Sequence, residues 1–153
     1  MCGIAGIIGV GAKKASIDAM LAAQAHRGPD AQKTHLDEGV ALGHNRLSII
    51  DLSSAADQPF YSQDGRYTLV FNGEIYNYLE LKRILEYSYN FQTQSDTEVL
   101  LAAFLHWGND CLAHLNGMFS FAIWDSQEER LFAARDRFGV KPFYYHKAED
   151  GFY

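Results

Sequence analysis

The first eight residues of the chain are Met1-Cys2-Gly3-Ile4-Ala5-Gly6-Ile7-Ile8. Because every residue after Cys2 in this stretch is apolar or glycine, it predicts a buried strand that anchors the start of the chain in the core. A small residue at position 2 permits removal of the initiator methionine, which would give Cys2 both a thiol and a free α-amino group. Such an amine has a reference pKa of about 7.7–8.0 and can activate a nucleophile on its own residue. By position alone a buried structural cysteine is the better fit, so the rest of the chain has to decide.

Composition and charge narrow the class of protein. The chain has 153 residues, of which 48% are hydrophobic and 21% charged, as expected for one globular domain with a substantial core. A net charge of −6 argues against a nucleic-acid or anionic membrane partner. Cys2 and Cys111 cannot build a disulfide framework, which suits a reducing cytosol, and no signal sequence or membrane-spanning run is present. We therefore expect a cytoplasmic protein, with Cys111 in its core.

The hydrophobic pattern predicts a mixture of strands and helices and indicates no more than an α+β fold. The Asp64-Gly65 pair predicts a hairpin turn. Capping boxes are predicted at Asn77-x-x-Glu80 and at Ser95-Asp96-Thr97-Glu98. The predicted strands lie at 3–8, 40–50, 67–71, 118–124, 130–135, 143–145 and 151–153, and the predicted helices at 14–24, 78–87 and 109–115. A further helix is predicted to follow the Ser95 box through Val99–Leu105, with Gly108 as its stop.

Two charged residues stand where charge is unusual, and each has a structural and a functional interpretation. Arg46 is embedded in an apolar strand, so its guanidinium needs a structural carboxylate, a route to solvent, or the carboxylate of a ligand. Asp96 falls in the first turn of a helix, where it could interact with the helix dipole or receive the ammonium group of a ligand.

The dipeptide Asn72-Gly73 also has two interpretations. It is an ordinary turn pair, placed directly after a strand. Alternatively, the Asn72 side-chain amide and the Gly73 backbone amide could both donate to one developing oxyanion.

Six stretches, taken together and in this order, resemble the glutamine amidotransferase domain of the class II, N-terminal nucleophile type. The similarity is closest to the N-terminal glutaminase domain of glutamine-dependent asparagine synthetase. The stretches span nearly the whole chain and are Met1-Cys2-Gly3-Ile4, His26-Arg27-Gly28-Pro29-Asp30, Arg46-Leu47-Ser48-Ile49-Ile50-Asp51, Asn72-Gly73-Glu74-Ile75-Tyr76-Asn77, Ser95-Asp96-Thr97-Glu98 and Arg135-Asp136-Arg137-Phe138-Gly139-Val140-Lys141-Pro142.

The resemblance implies a four-layer αββα sandwich of two antiparallel sheets, truncated at its C-terminus. It implies that Cys2 is the nucleophile, active once Met1 is removed, and that Asn72 and the Gly73 amide form the oxyanion hole. No metal ion is implied.

The same resemblance implies a site for the amino-acid end of glutamine. Arg46 would bind the α-carboxylate, and Asp96 together with Glu74 would receive the α-amino group. Backbone around Leu47 and Ile49 would line the pocket.

The implied reaction is hydrolysis of the glutamine side-chain amide to glutamate and ammonia, which supplies nitrogen for synthesis of asparagine or a related amide. Residues 1–153 would form one glutaminase domain, incomplete at its C-terminus and without cofactor. ATP and magnesium would serve only an ATP-dependent synthetase domain or subunit, which this chain lacks. L-glutamine and that synthetase are the implied partners, and a homodimer stays open. Two rival hypotheses are hydrolysis of another γ-glutamyl amide and an inert domain that only docks on a synthetase.

Overall fold

Two antiparallel sheets form the centre of the fold in the computed structural model, which describes residues 1–153. The first sheet has the strand order β2-β3-β1-β9-β8, and the second has the order β4-β5-β6-β7. The strands are β1 Gly3–Gly9, β2 Ala31–Asp37, β3 Val40–Arg46, β4 Phe60–Tyr61, β5 Tyr67–Ile75, β6 Gly117–Asp125, β7 Arg130–Arg135, β8 Lys147–Ala148 and β9 Gly151–Phe152, and the α-helices are α1 Lys14–Ala23, α2 Tyr78–Leu85, α3 Asp96–Trp107 and α4 Cys111–His114.

Three apolar layers show how the sheets and helices stack. Because side chains alternate along a strand, each sheet presents one face to helices and the other face to the opposite sheet. The layer between α1 and the first sheet contains Ala5, Ile7, Ile17, Leu21 and Ala41. The layer between the two sheets contains Val40, Leu42, Val70, Ala122 and Trp124. The largest layer lies between the second sheet and α2, α3 and α4, so the predicted αββα order of layers is confirmed.

Most predicted elements are present, and the differences have local causes. The strand predicted over 40–50 ends at Arg46, because the Arg46 guanidinium binds the carbonyl oxygens of Asp51 and Ser53 and folds the next residues into a loop. The strand predicted over 143–145 is absent, and the last hairpin begins at Lys147 instead. The turn at Asp64-Gly65 is confirmed, with Gly65 at a φ of 74°.

One of the two predicted capping boxes is wrong and the other is half formed. The side chain of Asn77 does not cap α2; its amide binds the backbone of His114 and Asn116. Ser95 does cap α3, since its Oγ accepts the Thr97 amide at 3.1 Å. Glu98 does not close that box, because its carboxylate accepts the amides of Gln92 and Thr93 and fixes the loop before the helix. No helix of the fold is both long enough and apolar enough to cross a membrane.

Candidate active site

A cleft of about 90 Å³ opens where the ends of the two sheets meet the start of α3. Cys2 enters it from the start of β1, Arg46 from the end of β3, and Asp96 from the first turn of α3. All eight residues predicted to form the site line this cleft: Cys2, Arg46, Leu47, Ile49, Asn72, Gly73, Glu74 and Asp96. These eight predicted residues are up to 94 positions apart in the sequence, from Cys2 to Asp96.

The main chain holds Cys2 in place and leaves its thiol half-buried at the cleft. Its Sγ receives the Leu47 amide at 3.4 Å, and its carbonyl oxygen accepts the Nε–H of Arg27 at 3.0 Å. The second thiol differs, since Cys111 is fully buried and burial raises its pKa to about 11. Only Cys2 thus offers a thiol that a ligand in the cleft can reach, and the prediction that Cys111 is a core residue is confirmed.

The Asn72-Gly73 pair is not a turn, because β5 runs through it to Ile75. The Asn72 side chain is only 4% exposed, and its Oδ1 has no hydrogen-bond partner. A buried polar atom without a partner is rare in folded proteins and calls for a specific reason. The Asn72 side chain lines the cleft, where a ligand can complete its hydrogen bonds.

The backbone amide of Gly73 is also free. The Phe71 amide donates to Gln58 Oε1 at 2.6 Å, and the Ile75 amide donates to Asp96 Oδ2 at 3.0 Å. Since amides alternate in direction along a strand, the Gly73 amide between them points the same way, away from β6. The edge strand β4 pairs with β5 only at residues 68–69, so no strand covers this amide. The cleft therefore holds a free backbone donor beside Asn72.

Asp96 and Glu74 place two carboxyl groups in the cleft, and neither of them forms an ion pair with a cation. Burial raises the pKa of Asp96 to about 6, the Ile75 amide partly opposes this rise, and the Glu74 charge adds to it. Asp96 is 5% exposed, and neither residue takes part in an ion pair. A buried acidic residue in this state is best satisfied by a positively charged ligand group.

Arg46 faces the same cleft but is largely engaged by the protein. Its Nη1 donates to the carbonyl oxygen of Ser53 at 2.7 Å and to Asp57 Oδ1 at 2.5 Å, and its Nη2 donates to the carbonyl oxygen of Asp51. A guanidinium has five N–H donors, so the Nε–H and one Nη2–H remain for a ligand. Arg46 is thus a member of a core ion pair, one of its two sequence interpretations, and it still reaches the cleft wall.

No histidine lines the cleft to serve as a base. The buried His44 lies between the sheets, where its Nε2 meets the Phe71 carbonyl oxygen at 3.2 Å and burial lowers its pKa to about 4. The candidate base nearest to the Cys2 thiol is therefore the nitrogen of Cys2 itself, which is a peptide nitrogen while Met1 is attached.

The comparison with known families agrees with this geometry. A family model described as the glutamine amidotransferase domain matches residues 1–153. The chain belongs to this family.

Relatives of this amidotransferase domain are longer proteins. The glutamine-hydrolyzing asparagine synthetase 1 of Bacillus subtilis (strain 168) is 48% identical over 129 residues, which cover 84% of this chain and 20% of that protein. The glutamine-hydrolyzing asparagine synthetase 3 of the same organism is 40% identical over 158 residues, covering 99% of this chain and 26% of the relative. The chain thus spans about a fifth to a quarter of these relatives.

A solved structure has the same fold. It is the glutamine phosphoribosylpyrophosphate (PRPP) amidotransferase from B. subtilis, complexed with ADP and GMP. Its TM-score is 0.63 at 29% sequence identity, and the match covers 76% of this chain and 27% of that one. The expected N-terminal nucleophile fold is confirmed by this likeness and by the two stacked sheets.

Three residues of the amidotransferase site escaped the sequence analysis. Arg27 belongs to the stretch His26-Arg27-Gly28-Pro29-Asp30, to which the sequence analysis gave no role in the site, and its Nε–H binds the Cys2 carbonyl oxygen. Asp57 pairs with Arg46 across 11 positions, and nothing in the sequence marks it. Lys141 lines the cleft, and only its membership in the Arg135–Pro142 motif pointed to it.

A second, larger cavity of about 370 Å³ meets the cleft at Cys2 and Asn72 and runs between the two sheets. Its walls are mostly apolar, and Arg27 is their one charged side chain. A zwitterionic amino acid would lose its hydration there without gaining partners for both charges, so the smaller cleft is the better site for it. No group of three or more metal-ligating side chains was found in the amidotransferase domain, and the expected lack of a metal or cofactor stays a prediction.

Proposed function

We propose that this domain hydrolyses the side-chain amide of glutamine to glutamate and ammonia through a thioester on Cys2. One observation carries the proposal: a single cleft combines an accessible thiol, the buried Asn72 amide with no partner on its Oδ1, the uncovered Gly73 amide, and the acids Asp96 and Glu74, which pair with no cation. Each group matches a different part of a glutamine molecule. The family match and the asparagine synthetase relatives support the same reaction.

The charged end of glutamine matches the charged residues that line the cleft with Cys2. Its α-ammonium group would bind Asp96 and Glu74, which have no cation of their own. Its α-carboxylate would accept the remaining N–H groups of Arg46, with backbone of Leu47 and Ile49 beside it. Charge-assisted hydrogen bonds of this kind give both affinity and orientation.

The reaction requires that Met1 has been removed, so that the Cys2 nitrogen is a free amine. The amine accepts the thiol proton, and the thiolate attacks the δ-carbon of glutamine. The oxyanion that forms is stabilised by the amides of Asn72 and Gly73. The amine then returns the proton to the leaving nitrogen as ammonia departs, and a water molecule hydrolyses the thioester to release glutamate.

The ammonia would pass to an ATP-dependent synthetase domain or subunit that makes asparagine or a related amide. This part of the proposal rests on the names of the relatives, of which this chain spans about a fifth to a quarter. Residues 1–153 would act as one amidotransferase domain. The chemistry at Cys2 needs no metal ion or organic cofactor.

The proposal is tested by intact mass and glutaminase activity measured on the same sample. Protein whose mass shows loss of Met1 should release ammonia and glutamate from glutamine in equal amounts. A variant with one extra residue retained before Cys2 should be folded and inactive, because its Cys2 nitrogen is an amide. Equal activity in the two proteins would contradict the role of the amine.

A further inference from the structure

Lys141 is a buried cation without an anionic partner. The residue is 3% exposed and lines the cleft together with Cys2. The one hydrogen bond of its Nζ goes to Met1 Sδ at 3.0 Å, and it belongs to no ion pair. A thioether is a weak acceptor, so the ammonium group is poorly satisfied where it stands. Buried ammonium groups without a paired charge are costly and therefore rare.

The neighbouring carboxylate of Asp136 does not neutralise this charge. Its two oxygens accept four backbone amides, at Phe119, Phe138, Val140 and Lys141, over distances of 2.9–3.2 Å. These bonds fix the loop from 136 to 141 against β6. Since Phe119 is the register partner of Gly73, the loop brings Lys141 next to the strand segment that carries the free donors.

Arg46, the second cationic side chain of the cleft, differs from Lys141 because its guanidinium already has hydrogen-bond partners. It already meets the Asp57 carboxylate and two carbonyl oxygens. Lys141 is thus the cation of the cleft that no carboxylate of the protein pairs with, so it is open to a ligand or a reacting group. Once Met1 is removed, Lys141 also loses its single hydrogen-bond acceptor, next to the residue that becomes the N-terminus.

We propose that Lys141 is a further catalytic residue, whose ammonium group stabilises the negative charge on the Cys2 thiolate and on the tetrahedral intermediate. This inference rests on the proposed function, because it assigns Lys141 a role at the same thiol. No bond to Lys141 forms or breaks, and its proton stays on Nζ. The residue acts as a fixed charge in a partly solvated cleft, where a charge held in position stabilises negative charge that develops in the transition state.

The test distinguishes an electrostatic effect of Lys141 on the Cys2 thiol from a purely structural role of Lys141. Cys2 is alkylated with iodoacetate, which is anionic, and with iodoacetamide, which is neutral, and the adduct is quantified by mass spectrometry of the Cys2 peptide. Both reagents react with the thiolate, so the ratio of their rates cancels the thiolate fraction and reports the local charge. Lys141→Gln should lower the iodoacetate-to-iodoacetamide ratio about tenfold, as expected for loss of one charge across a partly solvated cleft. Lys141→Arg should keep the ratio, and so should the exposed control Lys147→Gln.

Steady-state kinetics provide the second readout. Lys141→Gln should lower kcat for glutamine about a hundredfold with a small change in KM, since the charge acts on the transition state. Lys141→Arg should recover most of that loss. A rise in KM with intact kcat would overturn the proposal and make Lys141 a substrate-binding residue. An unchanged alkylation ratio in folded Lys141→Gln would also overturn it.

The alkylation measurement also gives an answer in two further cases: when the protein hydrolyses no glutamine, and when the Lys141→Gln variant does not fold. If wild-type protein without Met1 hydrolyses no glutamine, the proposed function fails, while the alkylation ratio still reports whether Lys141 faces the thiol. If Lys141→Gln does not fold, as judged by circular dichroism, the wild-type ratio is compared with that of a free peptide beginning Cys-Gly-Ile. A ratio well above that of the peptide supports the proposal, and an equal ratio overturns it.

Discussion

Asp96→Asn should make the protein more stable near neutral pH and much less active. Asp96 is 5% exposed and has no cation partner, and burial is the largest cause of the rise of its pKa from 3.8 to about 6. The folded protein therefore holds this proton at pH values where the unfolded chain has lost it. The corresponding stability is fully present below pH 3.8 and is lost as the pH rises through about 6.

The size of the effect follows from the shift. A rise of this size corresponds to about 3 kcal/mol of unfolding free energy, which ionised Asp96 costs the fold at neutral pH. Asparagine keeps the shape of the side chain and an oxygen that can accept the Ile75 amide, but it removes the charge. We therefore expect Asp96→Asn to exceed the wild type in stability by up to about 3 kcal/mol at pH 7.5, and to lose this advantage toward pH 4.

The assay is urea denaturation of wild type and variant between pH 4 and pH 8, with the exposed Asp110→Asn as the matched control. In parallel, kcat/KM for glutamine should fall about ten- to a hundredfold, the value of one charge-assisted hydrogen bond of about 1.5–3 kcal/mol. Hydrolysis of an amide without an α-amino group should change little. A variant that is less stable than wild type at every pH would refute the burial argument. Equal losses on both substrates would refute ammonium binding and leave Asp96 as a helix-dipole partner.

Three further predictions concern the candidate oxyanion donors Asn72 and Gly73 and the ion pair between Arg46 and Asp57. Asn72→Ala should lower kcat about 10²–10³-fold with little change in KM, whereas a large rise in KM alone would assign Asn72 to ground-state binding. Gly73→Ala should lose both activity and stability, because an added Cβ would overlap the carbonyl oxygen of Met118 on β6; a thermal melt that matches wild type would contradict this. Asp57→Asn should cost about 3–5 kcal/mol, since it leaves the buried Arg46 guanidinium without its carboxylate, and a change below about 1 kcal/mol in chemical denaturation would show that the pair contributes little.

The residues of the candidate site could be listed from the sequence because they sit in short contiguous motifs. Cys2, Asn72 and Asp96 each stand beside a local signal: a chain start, the end of a strand, and a helix cap. The strand through Asn72 and Gly73 could not be told from a turn by local propensity. These two residues form a strand because they pair with β6, about 46 positions further along the chain.

The charge balance of the site could not be read from the sequence. Arg46 pairs with Asp57, Asp136 binds only backbone amides, and Lys141 is left as the cation without an anion. These facts depend on which carboxylates the folded chain brings within reach of each cation. Local patterning also missed the end of β3 at Arg46, since the loop that follows is folded by the guanidinium itself.

Replacement of each cysteine in turn tests the central claim most directly. Ammonia release from glutamine is measured for Cys2→Ala and Cys111→Ala, each verified as folded and as lacking Met1. The account predicts that Cys2→Ala releases no ammonia above the uncatalysed rate and that Cys111→Ala stays close to wild type, because only Cys2 joins an accessible thiol to the N-terminal amine. Ammonia release by Cys2→Ala at the wild-type rate would contradict the account.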